Sequence, residues 1–115
     1  MVKYEVELDT IFTALAHPAR RAIIVRLGRG EATVGELAQP LEMTLPAVTK
    51  HLKMLERAKL ISRSKNAQWR PCRLEQAPLE TASGWIDEQR KIWESRMDRL
   101  ESYLHRMEKR GKKKR

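Results

Sequence analysis

Residues 33–58 read Thr33-Val34-Gly35-Glu36-Leu37-Ala38-Gln39-Pro40-Leu41-Glu42-Met43-Thr44-Leu45-Pro46-Ala47-Val48-Thr49-Lys50-His51-Leu52-Lys53-Met54-Leu55-Glu56-Arg57-Ala58. Thr33 and Glu36 have the capping-box spacing, in which a hydroxyl and a carboxylate each satisfy a backbone N–H that the first helical turn leaves unpaired. A helix holding Leu37, Ala38 and Leu41 is expected to follow, kept short or distorted by Pro40. After the turn at Glu42-Met43, Thr44 is the next cap and Pro46 falls in a first turn, where proline's missing N–H would have had no intrahelical partner. No glycine interrupts the chain from there, so a second helix is predicted from about Leu45 to Ala58. At about 100° per residue, Val48, Leu52 and Leu55 form one apolar stripe while Pro46, Thr49, Lys50 and Lys53 point away from it. The pattern is helix, tight turn, helix.

The flanks fit this unit. Upstream, Asp9 or Thr10 can cap a short first helix with Ile11, Phe12, Leu15 and Ala16 at helical spacing, and His17-Pro18 interrupts it. Pro18 then opens a helix through about Gly28. Arg20 and Arg21 sit near its start, the less favourable end of the helix dipole for a cation, and are expected to serve an outside anion or a carboxylate elsewhere. Downstream, Ile61 to Lys65 and Gln68 to Leu74 read as two strands around Asn66-Ala67, where Asn66 can take a left-handed turn. This hairpin is the expected wing, without a glycine at its tip and with Trp69 expected to pack its ring on the domain rather than stack on a base. From Leu79 to Met107 apolar residues recur at helical spacing, with Gly84 the one glycine and no proline. The fold class expected is mainly α with a small β-hairpin, a winged helix-turn-helix. Its domain covers residues 1–108, including a last helix over about 79–108, and a basic disordered tail follows at 109–115. The stripe on that last helix is wider than docking on so small a domain requires, which points to a second copy. Homodimerisation is expected through Trp85, Ile92, Trp93 and Leu100 on that helix.

The formal charge is +9 for 115 residues, six of the positive charges lying in the tail. Within the body, Lys50, Lys53, Arg57, Lys59, Arg63, Lys65, Arg70 and Arg73 face only one acid, Glu56. Such a run is often an ordinary solvated face, but here it falls on the second helix of a helix-turn-helix and on the hairpin behind it, the docking geometry of a double-stranded DNA binder. Thr49, Lys50 and His51 are expected to read or probe base edges beside Pro46. Thr44, Lys53, Arg63, Lys65 and Arg70 are expected to hold phosphate.

Other classes fare worse. No glycine-rich phosphate loop, nucleophile elbow or paired catalytic constellation occurs, and His17, His51 and His105 lie on separate predicted elements, so an enzyme is not expected. A protein-interaction module using the long helix, or RNA binding through the tail, are the rivals. The one cysteine, Cys72, excludes an internal disulfide and a multi-cysteine metal site. No apolar run approaches a membrane span, and Lys3, Glu5, Glu7 and Asp9 fill the place of a signal peptide's apolar stretch, so a cytoplasmic protein with no membrane partner is expected.

Three segments carry a resemblance: Phe12-Thr13-Ala14-Leu15-Ala16-His17-Pro18-Ala19-Arg20-Arg21, Thr33 to Ala38, and Pro46 to Glu56 look like the ArsR/SmtB family of bacterial repressors. Pro78-Leu79 through Trp85, and Trp93-Glu94-Ser95-Arg96-Met97, further resemble a metal-independent branch of that family. The resemblance implies a homodimer joined through the first and last helices, which adds Ile11 and Phe12 to the dimer contact, with paired recognition helices on a palindromic operator and repression as the outcome. The family's metal sensors use paired cysteines in the third helix or a His/Asp-rich set in the last. Here the third helix has no sulfur, and His105 and Glu108 lack a second histidine, so neither metal nor cofactor is expected. Cys72 has no second cysteine to resolve a sulfenic acid, and a lone strand cysteine is usually inert packing. The identity of any small-molecule effector is not written in the chain.

Overall fold

The computed structural model describes residues 2–65 and 69–113, and the side chains of residues 4–65 and 69–111. Its elements in order are α1 (Val2–Leu15), α2 (Pro18–Leu27), α3 (Val34–Leu41), α4 (Leu45–Arg57), β1 (Ile61–Arg63), β2 (Cys72–Leu74) and α5 (Ala77–Lys113). The chain divides into two compact units, Met1–Ala82 and Ser83–Arg115. The first unit is a winged helix-turn-helix.

The caps predicted for α3 and α4 are in place. Thr33 Oγ1 accepts from the Glu36 amide at 3.2 Å and Glu36 Oε1 accepts from the Thr33 amide at 3.1 Å, closing the capping box of α3. The bond from the Thr33 amide, and a second from the Thr33 hydroxyl at 3.0 Å, hold the Glu36 carboxyl below its ordinary pKa. Glu42 ends α3 in a left-handed conformation (φ 53°), which lets its amide reach the last carbonyls. Thr44 Oγ1 accepts from the Ala47 amide at 3.3 Å to start α4. Lys59, at φ 60°, turns the chain out of α4 in the same left-handed way.

The core lies where these helices meet. Val48, Leu52 and Leu55 of α4 are fully buried, with Ile23 and Leu27 of α2, Leu37 of α3, Leu60 and Cys72 around them. Each large side chain removed from water there contributes about 1.5–3 kcal/mol before the entropic cost of ordering it. β1 and β2 pair antiparallel, Ile61 opposite Leu74, Ser62 opposite Arg73 and Arg63 opposite Cys72. Ala32 exchanges both backbone hydrogen bonds with Cys72 (3.1 and 2.7 Å), tying the hairpin to the loop before α3.

Four expectations are corrected. First, α1 does not begin at Asp9 or Thr10 but runs from Val2, and the Thr10 hydroxyl, instead of capping, donates to the Val6 carbonyl one turn back at 2.9 Å. Second, the strands are three residues each rather than five and seven. Pro71 supplies no N–H, and among the described residues the Ser64 amide bonding the Pro71 carbonyl at 3.1 Å extends the pairing beyond the ladder. Third, α5 starts two residues early and continues to Lys113, so residues 109–113 are helical rather than a disordered tail. Fourth, Ile11 is 4% exposed and belongs to the interior of its own unit, so it presents no surface to a second copy. The expected hairpin tip, Asn66-Ala67 with Gln68, and the last two residues lie outside the described residues.

Within Ser83–Arg115 the helix leaves large apolar side chains in water. Ile92, Trp93, Met97, Leu100, Tyr103, Leu104 and Met107 are between 43% and 63% exposed, and Trp85 is 37% exposed. Among the described residues no helix is long and apolar enough to cross a membrane.

Candidate nucleic-acid interface

With its apolar stripe wholly inside, α4 has one face left for an outside partner. Pro46, Lys50 and Lys53 are exposed on it, and Thr49 is half-buried beside them. The Thr49 hydroxyl donates to the Leu45 carbonyl at 2.8 Å, so it meets a partner as a hydrogen-bond acceptor and a methyl rather than as a donor. Lys50 and Lys53 are three residues apart, one turn of helix, and form no ion pair among the described residues. Thr44, at the helix N-terminus, is exposed, where the dipole and unpaired amides favour an anion.

His51 does not join this face. Its Nδ1 lies 3.3 Å from Arg20 Nη1, and its ring centroid is 4.5 Å from that of His17. Since guanidinium only donates, His51 Nδ1 is the acceptor and the neutral ring carries its proton on Nε2. Burial lowers its pKa from the ordinary 6.5, and the neighbouring His17 and Arg20 lower it further. The residue expected to probe bases is therefore held inward as a neutral acceptor.

Arg20 explains that inward turn, and corrects its own expectation. Its Nε donates to the Ala14 carbonyl at 2.6 Å and its Nη2 to the Thr13 carbonyl at 3.0 Å, while Arg21 Nη1 donates to the Leu15 carbonyl at 2.8 Å. Both arginines thus cap the C-terminal carbonyls of α1, the negative end of its dipole, rather than an outside anion or a carboxylate. His17 completes the junction: its Nδ1 accepts from the Ala19 amide at 3.0 Å and caps α2. One cation, Arg20, therefore joins the end of α1 to the middle of α4. The residue types gave no sign of this, because Arg20 and His51 are 31 positions apart.

On the hairpin the expected phosphate ligands separate. Arg63 turns to the same side as buried Cys72, its Nη1 3.9 Å from Glu56 Oε1 and its side chain only 21% exposed. It is corrected to an internal tie between β1 and the end of α4. Burial pushes the Cys72 thiol above its ordinary pKa, partly opposed by the Arg63 guanidinium beside it, so the thiolate that oxidation chemistry needs is disfavoured. Lys65 and Arg70 are exposed, and Arg70 takes φ 45°. Trp69 is 75% exposed, against the expectation that it packs on the domain. Arg73, opposite Ser62 on the outward face, is an exposed cation that the sequence pattern did not single out as a phosphate ligand. Strand alternation is the signal that separates the two: Arg63 lies opposite buried Cys72 and faces in, whereas Arg73, the next residue after Cys72 along β2, faces out.

Among the described residues no cluster of three or more histidine, cysteine or acidic side chains could hold a metal ion.

The comparisons agree with this geometry. A helix-turn-helix domain family matches residues 15–63, the span from the end of α1 to the end of β1. The chain is 49% identical over 53 residues to the HTH-type transcriptional regulator Rv2034 of Mycobacterium tuberculosis, a match over 46% of this chain and half of that one. It is 28% identical over 79 residues to the transcriptional repressor SdpR of Bacillus subtilis, 69% of this chain and 88% of that one. A solved ArsR family transcriptional regulator, RHA00566, superposes with a TM-score of 0.74 at 44% identity, covering 79% of this chain and 94% of that one. The helix-turn-helix, its hairpin and its identity to a solved member along nearly that member's whole length place this chain in the ArsR family of transcriptional regulators.

Proposed function

We propose that the protein is a homodimeric transcriptional repressor that seats two α4 helices in successive major grooves of a palindromic operator, about 34 Å apart. The observation that carries this is the exposed face of α4, on which Lys50 and Lys53 stand next to Thr49 and Pro46 over a fully buried stripe. Lys50 reaches a base edge, for which guanine O6 and N7 are the natural acceptors, and Pro46 and the Thr49 methyl suit a thymine methyl. Thr44, Lys53, Lys65, Arg70 and Arg73 meet phosphate and set the register. Arg20 and His51 position α4 from behind. The similarity to a repressor, SdpR, supports repression as the outcome, and the last helix, with Trp85, Ile92, Trp93 and Leu100, together with Phe12, supplies the dimer contact. We place the protein in the cytoplasm and in the metal-independent branch, with its effector unassigned.

The rival, a protein-interaction module built on the long helix, has the exposed apolar stripe of α5 in its favour. A salt titration separates the two, with genomic fragments selected by the purified protein as probe. DNA held by several cations per subunit loses affinity linearly in log salt, whereas apolar helix docking responds little. Selected fragments with inverted half-sites and a steep salt slope support the repressor; no preference for any duplex at physiological salt overturns it.

A further inference from the structure

Among the described residues Trp69 is the most exposed large apolar side chain, 75% open to solvent where the next, Val25 and Trp93, are at 63%. Its indole N–H has no hydrogen-bond partner among them. The backbone beside it is anchored: Pro71 has its φ locked by its own ring, and its carbonyl accepts from the Ser64 amide at 3.1 Å. Trp69 therefore stands just past the last paired position of the hairpin. The surroundings carry one sign of charge. No acid occurs between Glu56 and Glu75, and Lys65, Arg70 and Arg73 are exposed and form no ion pair among the described residues. Three free cations around an uncovered ring suit a polyanion, and a duplex supplies phosphates on both sides of a narrow, sugar-walled slot.

Chain order selects the groove. β1 begins four residues after α4 ends, with Lys59 at φ 60° making the turn, so the hairpin leaves directly from the C-terminus of α4. With α4 in a major groove, a hairpin placed there crosses one phosphate backbone and meets the minor groove next to it. That groove is about 6 Å wide and admits a flat ring edge-on. The chemistry of indole then selects a sequence. Nε1–H only donates. An A·T pair shows the minor groove only acceptors, adenine N3 and thymine O2, whereas G·C adds the guanine N2 amino group, a donor that repels the indole N–H and fills the floor of the groove.

We propose that Trp69 enters the minor groove beside each half-site edge-on and selects A·T pairs there, its Nε1–H donating to the groove floor while Lys65, Arg70 and Arg73 hold the flanking phosphates. It is a specificity contact at base pairs that α4 does not touch. The proposal rests on the operator-binding reading above and adds a sequence determinant to it.

The test uses the full chain and the tightest duplex from the fragment selection described above. Pairs on the order of five base pairs from each half-site centre, half a helical turn away, are changed in turn to A·T, G·C or inosine·cytosine. Inosine lacks the N2 amino group, so its pair with cytosine resembles G·C in the major groove and A·T in the minor. At the contacted pair, A·T and inosine·cytosine should bind alike and G·C about fivefold more weakly. Trp69→Ala should abolish that discrimination and lower affinity about tenfold, with the slope against log salt unchanged because a neutral ring displaces no counterions. Trp69→Phe, a ring without the N–H, should fall between. Inosine·cytosine binding as weakly as G·C, or a preference that survives Trp69→Ala, overturns the contact while the repressor reading stands. So does loss of self-association in Trp69→Ala by sedimentation, which would assign the ring to a second copy. Failure of the wild-type chain to bind any duplex overturns the repressor reading itself, and the contact with it.

Discussion

Two helices of this chain carry apolar stripes of similar quality and treat them in opposite ways. In α4, Val48, Leu52 and Leu55 are entirely inside, and beyond Leu45 and Pro46 at its start the exposed remainder is polar or charged. In the distal part of α5, Trp93 is 63% and Leu100 49% exposed. The first is a finished piece of core that frees its other face for a ligand. The second is a stripe left in water. An amphipathic pattern alone does not say whether the partner for its stripe lies in the same chain, and the difference between these helices is the number of neighbouring elements available to each.

The sharpest way to break the contrast is to truncate one leucine on each helix. Leu52→Ala should cost about 2–5 kcal/mol in denaturant unfolding because it leaves a cavity in a packed centre. Leu100→Ala should change the unfolding of the dilute monomer by less than about 0.5 kcal/mol, yet weaken self-association measured by sedimentation. Equal losses would mean that α5 is already buried in its own chain. The free face of α4 is probed next. Lys50→Ala should cost about 1–3 kcal/mol in DNA affinity and relax preference at one base pair; uniform weakening across sequences would make Lys50 a phosphate contact.

Arg20→Ala tests whether the finished helix is held from behind. Losing its charge-assisted bonds to Thr13 and Ala14 should lower stability by about 1.5–3 kcal/mol, seen as a lower Tm. Arg20→Lys should recover little, since one ammonium cannot span both carbonyls and His51. The smallest effect is in pH. His51 binds a proton less readily folded than unfolded, so the unfolded chain takes up more protons below about pH 6.5. Its contribution to stability is full above that value and is lost as pH falls toward the lowered folded pKa. Tm should decline through that window, and His51→Gln should flatten the decline.

Much of this was legible in the residues. The capping box at Thr33 and Glu36, the cap at Thr44 with Pro46 behind it, and the stripe of α4 are local features whose partners lie within four positions, and each forms as expected. The errors share a cause. Arg20, His51 and Arg63 have side chains long or polar enough to serve several partners, and their actual partners lie 6, 31 and 7 positions away. Positive charge was read as available to DNA where the fold had spent it on helix ends and on Glu56. Ile11 was misassigned for a similar reason: apolar periodicity does not tell inside from interface.

The order of elements, the boundaries of α2, α3 and α4 to within a residue or so, and the basic character of one surface are determined by the chain alone, since they follow from backbone hydrogen bonding and from which residues water rejects. The three-dimensional arrangement decided which cations remain free. It took Arg20 and Arg21 for the end of α1, turned His51 inward and Arg63 toward Glu56, and left Lys50, Lys53, Lys65, Arg70 and Arg73 in solvent. A charge's availability depends on every carbonyl and carboxylate within a few ångströms, and that neighbourhood exists only once distant segments have packed together.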